Sequence, residues 1–115
     1  MSINTTELTE VDVLTGTATS TAGAASIGNQ AGLITTEALT TAAGATYTMT
    51  LTNPLITASS LVFVTVAKGT STTGEPVVQF VTPATGSAVI LIRNVAAAAA
   101  LNGTVKIGFY VVNLA

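Results

Sequence analysis

Chemistry in this chain would have to come from a small set of side chains. Five carboxylates occur among its 115 residues, and three of them, Glu7, Glu10 and Asp12, lie close together. Two carboxylates that converge in a cleft can act as general acid and base in hydrolysis. Glu10 and Asp12 would share one side of a strand, where they could also bind calcium or magnesium. The stretch lacks the dense Asp/Asn/Gly loop of calcium sites, so we interpret it as a solvated edge or an interface contact and expect no metal site.

Histidine and cysteine are both absent. Their absence excludes Ser-His-Asp and Cys-His catalysis, Cys/His zinc sites, haem and iron–sulfur ligation, and disulfide bonds. The phosphate-binding patterns G-x-x-x-x-G-K-[ST] and G-x-G-x-x-G do not occur. The three basic residues, Lys68, Arg93 and Lys106, fall on three separate predicted strands and are too few to neutralise many phosphates. The sequence therefore predicts a protein that is not an enzyme, needs no cofactor and binds no nucleic acid.

Charged residues make up 7% of the chain, where about 25% is typical. Mean hydropathy is +0.69, yet no apolar run reaches the roughly 18 residues that span a bilayer. The first ten residues are polar and do not resemble a secretion signal, so we expect synthesis in the cytoplasm and no membrane partner. A folded domain with so few charges is poorly soluble on its own. We expect other subunits to cover much of its surface.

Alternating apolar and polar residues predict strands in the second half of the chain. Thr46–Thr52 alternates throughout, which places Tyr47, Met49 and Leu51 on one face and four threonines on the other. Further strands are predicted at residues 60–68, 77–82, 87–95 and 104–114, with Gly/Pro turns between them. This spacing predicts an all-β fold, an antiparallel β-sandwich that is jelly-roll-like or barrel-like.

The first part of the chain is less regular. Residues 1–10 are predicted to form an extended N-terminal arm, and residues 11–115 a single β-sandwich domain. Within that domain, residues 16–32 are almost all small and are interpreted as a long loop, with extended pairing over residues 17–21 as the alternative. Residues 33–41 predict a strand or a short helix.

Two features of composition each allow two interpretations. Alanines 96–100 favour a short helical crossover or a loop against the sandwich, and the alternative is close approach of symmetry-related copies. The threonine rows that begin at Thr15 and Thr46 are interpreted as ordinary solvent-facing positions. Ice binding, the alternative, would require the motif to repeat through the whole chain, and it does not recur a third time.

Five segments carry a resemblance to a known class of proteins. They read T-M-T-L-T-N (residues 48–53), I-T-A-S-S-L-V-F-V (56–64), V-T-P-A-T-G-S (81–87), I-x-I-R-N (90–94) and A-A-L-N-G-T-V-K-I-G-F (99–109). Together they resemble small β-rich virion structural proteins of tailed bacteriophages, marine and cyanobacterial ones especially. The resemblance covers a little over half of the chain. It implies a capsid decoration (cement) protein that binds the major capsid protein on the head surface as a homotrimer.

Small head-fibre, tail-fibre or knob modules that contact the host or another appendage look similar, and they are the alternative. Such modules usually belong to longer chains with a shaft, whereas this sequence runs from Met1 to Ala115, which favours decoration. The expected location is the virion capsid surface. We expect the capsid-contact arm to use Ile3, Glu7, Leu8 and Glu10. We expect the subunit interface to use Tyr47, Met49, Phe63, Phe80, Arg93 and Phe109.

Overall fold

The computed structural model describes residues 15–113, which fold into two packed four-stranded sheets. The first, called sheet A here, has the strand order β1-β3-β8-β5, and sheet B has the order β2-β4-β7-β6. The prediction of an all-β sandwich is confirmed. The strands are β1 (Thr15–Thr19), β2 (Ala24–Ser26), β3 (Ala31–Thr35), β4 (Thr46–Thr52), β5 (Leu61–Lys68), β6 (Pro76–Ala84), β7 (Ser87–Asn94) and β8 (Val105–Val112).

Most neighbouring strands are antiparallel, but each sheet also contains one parallel pair. β1 pairs in parallel with β3, and β2 pairs in parallel with β4. The cause is the path of the chain, which alternates between the sheets over its first four strands. Between β1 and β3 the chain passes through β2 in the other sheet, so two reversals return it to its original direction.

The extended pairing allowed over residues 17–21 is confirmed in part, because β1 covers residues 17–19. The predicted loop over residues 16–32 is wrong for about half of its length. It contains most of β1, all of β2 and the start of β3. The prediction failed because Gly and Ala carry little apolar surface. The segment therefore has no alternating row of large apolar side chains that would indicate its buried side. The inward side chains there are few, and Ala25 and Ile27 are the members buried in the core. β2 and β3 form because β4 and β8 supply hydrogen-bonding partners that are distant in sequence, and β1 pairs with β3.

The strands predicted in the second half are all present, as β4 to β8, with ends that differ by only a few residues. Residues 31–35 form a strand rather than a helix. Alanines 96–100 form a loop, and the Asn94 side-chain amide donates to the Ala99 carbonyl at 2.8 Å. A short alanine run gains little from helix formation unless it packs, and here the loop is tied to the sandwich instead.

The core lies between the two sheets and follows the period-two alternation of the strands. Its members are Ala25, Ile27, Ile34, Leu39, Met49, Leu51, Ile56, Ala88, Ile90, Ile92, Leu101, Val105, Ile107, Phe109 and Val111. The inward side chains of β7 and β8 contribute most to it. Met49 and Phe109, which sequence analysis assigned to a subunit interface, are buried here within a single chain.

The predicted N-terminal arm, residues 1–10, lies outside the described residues. None of the residues that the structure does describe forms a helix long and apolar enough to cross a membrane.

Candidate interaction surface

The outer face of sheet A carries an exposed apolar patch beside the outward threonines of β1. Leu33, Leu61, Phe63 and Tyr110 project from it with exposed fractions of 40%, 48%, 60% and 41%. Side chains on this face point outward because they alternate with Val62, Val64 and the other inward residues that pack on the core. Two rows of residues cross the face from β1 to β5. They are Thr15, Ala31, Tyr110 and Phe63, and then Thr17, Leu33, Gly108 and Thr65.

A groove of about 560 Å³ runs along this face, and its lining is almost wholly apolar. It forms where Gly108, which has no side chain, lies between Leu33 and Thr65. Phe63 and Tyr110 are opposite each other in the β5–β8 pair and stand beside the gap. Cross-strand aromatic pairs of this kind present a broad apolar contact area.

The outer face of sheet B carries a smaller apolar patch beside a row of threonines. Phe80, on β6, is 52% exposed and lies opposite Leu91. A register shift between Val78 and Phe80 precedes this pairing, and Val78 and Val81 pack against the core. The threonine row is the outward side of β4 and consists of Thr46, Thr48, Thr50 and Thr52.

The edge strands of the two sheets meet along one side of the sandwich. β5 is the last strand of sheet A, β6 is the last strand of sheet B, and the two pack against each other. We call this side the β5–β6 edge. Phe63 lies on one flank of it and Phe80 on the other. The edge therefore places two exposed aromatic side chains close to one boundary of the molecule.

A polar cluster around Glu37 lies apart from these apolar faces. The Ser20 hydroxyl and the Tyr47 hydroxyl (2.9 Å) both donate to Glu37 Oε1, and the Gly23 N–H donates to Oε2 at 2.8 Å. Burial raises the pKa of the Glu37 carboxyl, but these hydrogen bonds outweigh it and hold the pKa below its usual value. Burial, with Glu37 nearby, raises the pKa of Tyr47 to about 12.

The cluster is suited to holding the fold rather than to catalysis. Ser20 is 2% exposed, so its hydroxyl is not accessible to a substrate. A carboxylate whose pKa is lowered is also a weaker general base near neutral pH. Ser20 follows β1, Glu37 follows β3 and Tyr47 belongs to β4. The cluster therefore connects the ends of both sheets.

The residues predicted for a subunit interface do not form one site. Phe63 and Phe80 are on the surface at the β5–β6 edge, whereas Tyr47 is half-buried in the Glu37 cluster. Arg93 is exposed on sheet B, where it pairs in register with Val77. Met49 and Phe109 are core residues, as described above. The predicted capsid-contact residues, Ile3, Glu7, Leu8 and Glu10, lie outside the described part of the chain.

Sequence reasoning missed three residues of the apolar face, Leu33, Leu61 and Tyr110. Alternation in β8 places Tyr110 on the side opposite to Ile107, Phe109 and Val111, but it does not say which of the two sides is exposed. Leu33 carries no such signal, since its strand is short and was ambiguous in sequence. Its position beside Gly108 follows only from the pairing of β3 with β8.

Within residues 15–113, no three acidic side chains gather in a way that could hold a metal ion. Comparison with known proteins gives no match, whether to a family model, to a curated protein or to a solved structure.

Proposed function

We propose that this chain is a structural protein of a tailed-phage virion, a capsid decoration protein that binds the head as a homotrimer and stabilises the shell. The observation that carries the proposal is the apolar patch on the outer face of sheet A. Leu61, Phe63 and Tyr110 are exposed there around an apolar groove. Each Å² of apolar surface removed from water contributes about 25 cal/mol, so this face favours contact with another protein.

The sparse charge of the molecule supports the same conclusion. The described residues include five charged side chains, namely Glu37, Lys68, Glu75, Arg93 and Lys106. A small soluble monomer typically has about 25–35% charged residues on its surface. A subunit that is covered by its neighbours needs fewer of them. The resemblance to small phage virion proteins, carried by segments within residues 48–109, is independent of this argument.

The proposed mechanism is stabilisation by mass action. A ligand that binds the assembled shell, and not its free subunits, stabilises the shell by about 2.7 kcal/mol per site at one hundred times its dissociation constant. Three linked contact sites in a trimer raise the effective affinity further. In this proposal the arm of residues 1–10, with Ile3, Glu7, Leu8 and Glu10, contacts the major capsid protein, and the sandwich holds the trimer together. The proposal includes no catalytic step and no cofactor.

The test is to locate the chain on virions of the phage whose genome encodes it. Gold-labelled antibodies against the purified protein are imaged on intact particles by electron microscopy. We expect regularly spaced label over the head surface. Heads stripped of the protein should also lose their contents at a lower temperature, and re-addition of the purified protein should restore the original temperature. Unlabelled virions would overturn the proposal.

A second candidate is a small head- or tail-fibre module that contacts the host surface or another appendage. The observation that favours it is the groove beside Phe63 and Tyr110, because two adjacent aromatic side chains form a contact surface for many ligands. The labelling experiment separates the two candidates. Label at the tail, or at the tips of fibres, would support the fibre module and contradict decoration of the head lattice.

A further inference from the structure

We propose that the groove on the outer face of sheet A is the docking site of the chain's own residues 11–14, which lead directly into β1. The groove is lined by residues of all four strands of sheet A, and the first three residues of β1 form one of its sides. Residues 11–14 lie outside the described residues and read V-D-V-L. The inference goes beyond the proposed function, which assigns residues 1–10 to the capsid and gives residues 11–14 no role.

The point at which this segment joins the sandwich suits the groove. Thr15 is the first residue of β1, faces outward at the edge of sheet A and lines the groove. The distance across the face from β1 to β5 is three strand spacings of about 4.8 Å, or about 14 Å. Four extended residues at about 3.3 Å each span about 13 Å. A segment that bends over the edge at Thr15 and crosses the face therefore brings Val11 close to Thr65 on β5.

The residue pattern of the segment also matches the groove. In an extended chain Val11 and Val13 share one side, and Glu10 and Asp12 share the other. The two valines can contact the apolar lining, where Gly108 leaves room because it has no side chain. The two carboxylates then remain in water, so docking does not require the burial of a charge.

Charge complementarity favours the same occupant. Residues 1–14 contain Glu7, Glu10 and Asp12 and no lysine or arginine. Each strand of sheet A is fully described, and none contains an acidic residue. Lys106 is exposed on the outward side of β8, two positions from Gly108, and therefore lies beside the groove. An acidic segment is thus attracted to this face and meets no like charge on it.

The available area favours a tethered segment over a second copy of the chain. Four strands about 4.8 Å apart, with up to eight residues at about 3.3 Å each, give an outer face of up to roughly 500 Å². A stable interface between two chains usually buries about 800 Å² on each partner. A tethered segment loses no independent translational or rotational freedom and has a roughly millimolar effective concentration, so a small apolar contact is sufficient. Leu61 lies outside the groove lining and remains available to another protein.

Disulfide trapping in the full chain tests the docked position. The chain contains no cysteine, so Val11→Cys with Thr65→Cys introduces a single pair of thiols. A disulfide needs Cα atoms within about 7 Å of each other. We expect oxidation to give an intramolecular disulfide, detected by the mass of the unreduced monomer. Val11→Cys with Thr48→Cys is the matched control, because Thr48 is an exposed threonine on the outer face of sheet B, and it should give none.

Three results of this experiment would overturn the inference. If residues 11–14 instead continue straight along β1, the Cα of Val11 lies more than about 20 Å from that of Thr65, and no monomeric disulfide forms. Disulfide-linked dimers would identify the segment of a second copy as the occupant. Equal disulfide formation in the control pair would show that the segment has no preferred site.

An apolar fluorescent dye measures access to the groove without any cysteine. We expect Val11→Ser with Val13→Ser to raise dye fluorescence several-fold over the native chain, because the groove is uncovered. Ile3→Ser with Leu8→Ser removes two apolar side chains from residues 1–10 and should match the native chain. Native fluorescence as high as that of the valine variant would contradict docking. Both experiments use the purified chain alone, so unlabelled phage heads would contradict the proposed function and leave this docking unaffected.

Discussion

At the scale of single residues, the Glu37 cluster makes stability depend on pH. The hydrogen bonds to Glu37 hold its folded-state pKa below the usual value of 4.5, so the charged form binds its partners more tightly than the neutral form. The contribution to stability is complete above pH 4.5 and is lost as the pH falls through the lowered pKa. We expect Glu37→Gln to lower the unfolding temperature at pH 7. Below pH 4.5 the unfolding temperature of the variant should fall less steeply with pH than that of the native chain.

The matched control is Glu75→Gln, because the Glu75 side chain is exposed. Thermal unfolding followed by circular dichroism between pH 3 and pH 7 measures both variants. Glu75→Gln should retain the pH dependence of the native chain. An unchanged pH profile in Glu37→Gln would show that the cluster contributes nothing to stability.

Asn94 is the second residue with a large expected effect. Its side chain is fully buried. The side-chain amide donates hydrogen bonds to the carbonyls of Thr41 (3.1 Å) and Ala99 (2.8 Å). The side-chain oxygen accepts hydrogen bonds from the N–H groups of Glu75 (2.9 Å) and Ala96 (3.1 Å). Asn94→Ala removes the partner of the Glu75 and Ala96 N–H groups and of the Ala99 carbonyl, whereas the Thr41 carbonyl keeps the hydrogen bond from the Leu101 N–H. We expect a loss of about 3 kcal/mol in the free energy of unfolding, since each unpaired buried group costs about 1–3 kcal/mol.

Urea denaturation measures this loss, with Asn113→Ala as the comparison. Asn113 is exposed and contacts the Ser60 hydroxyl and the Leu55 carbonyl, so we expect a loss of about 1 kcal/mol there. Equal losses in the two variants would contradict the role assigned to Asn94.

At the scale of elements, the turn between β6 and β7 depends on one backbone conformation. Gly86 has a φ of 79°, and a Cβ added there would meet no atom within 4 Å. Any cost of Gly86→Ala is therefore a backbone cost, of about 1 kcal/mol. Gly28→Ala is the control, because a Cβ there also meets nothing and its φ is not positive. Urea denaturation should show Gly86→Ala destabilised and Gly28→Ala unchanged or slightly stabilised; similar values for both would contradict this account.

The elements also show how local signals succeed or fail. β4 was predicted with its observed ends because seven residues alternate without interruption. β2 has three residues and contains no large side chain. Its strand conformation depends on pairing with β4, which begins twenty positions after β2 ends. A local sequence pattern cannot show a pairing over that separation.

At the scale of the whole molecule, the proposal assigns capsid binding to the arm of residues 1–10 and the stable fold to the sandwich. Removal of residues 1–10 should weaken attachment to phage heads, because the proposed capsid contacts are lost. The unfolding temperature should change little, because the core consists of residues between Ala25 and Val111. Co-sedimentation with heads and thermal unfolding measure the two quantities. A truncated chain that binds heads at full strength would refute the role of the arm.

The sequence alone determined the all-β class, the positions of β4 to β8 and the scarcity of charge, since alternation and composition are properties of the local chain. It could also single out Phe63 and Phe80 as exposed aromatic candidates. It could not distinguish them from Phe109, because alternation defines two sides of a strand without saying which side faces the other sheet.

Only the tertiary structure decided that question. Phe109 shares its side of β8 with Ile107 and Val111, and that side packs against the opposite sheet. Phe63 shares its side of β5 with Leu61 and Thr65, and the valines on the other side of β5 face the core. The groove at Gly108 likewise required β3, β8 and β5 to be adjacent. Burial is set by contacts between residues that are distant in sequence, and for that reason the apolar surface of this protein became visible only in the folded chain.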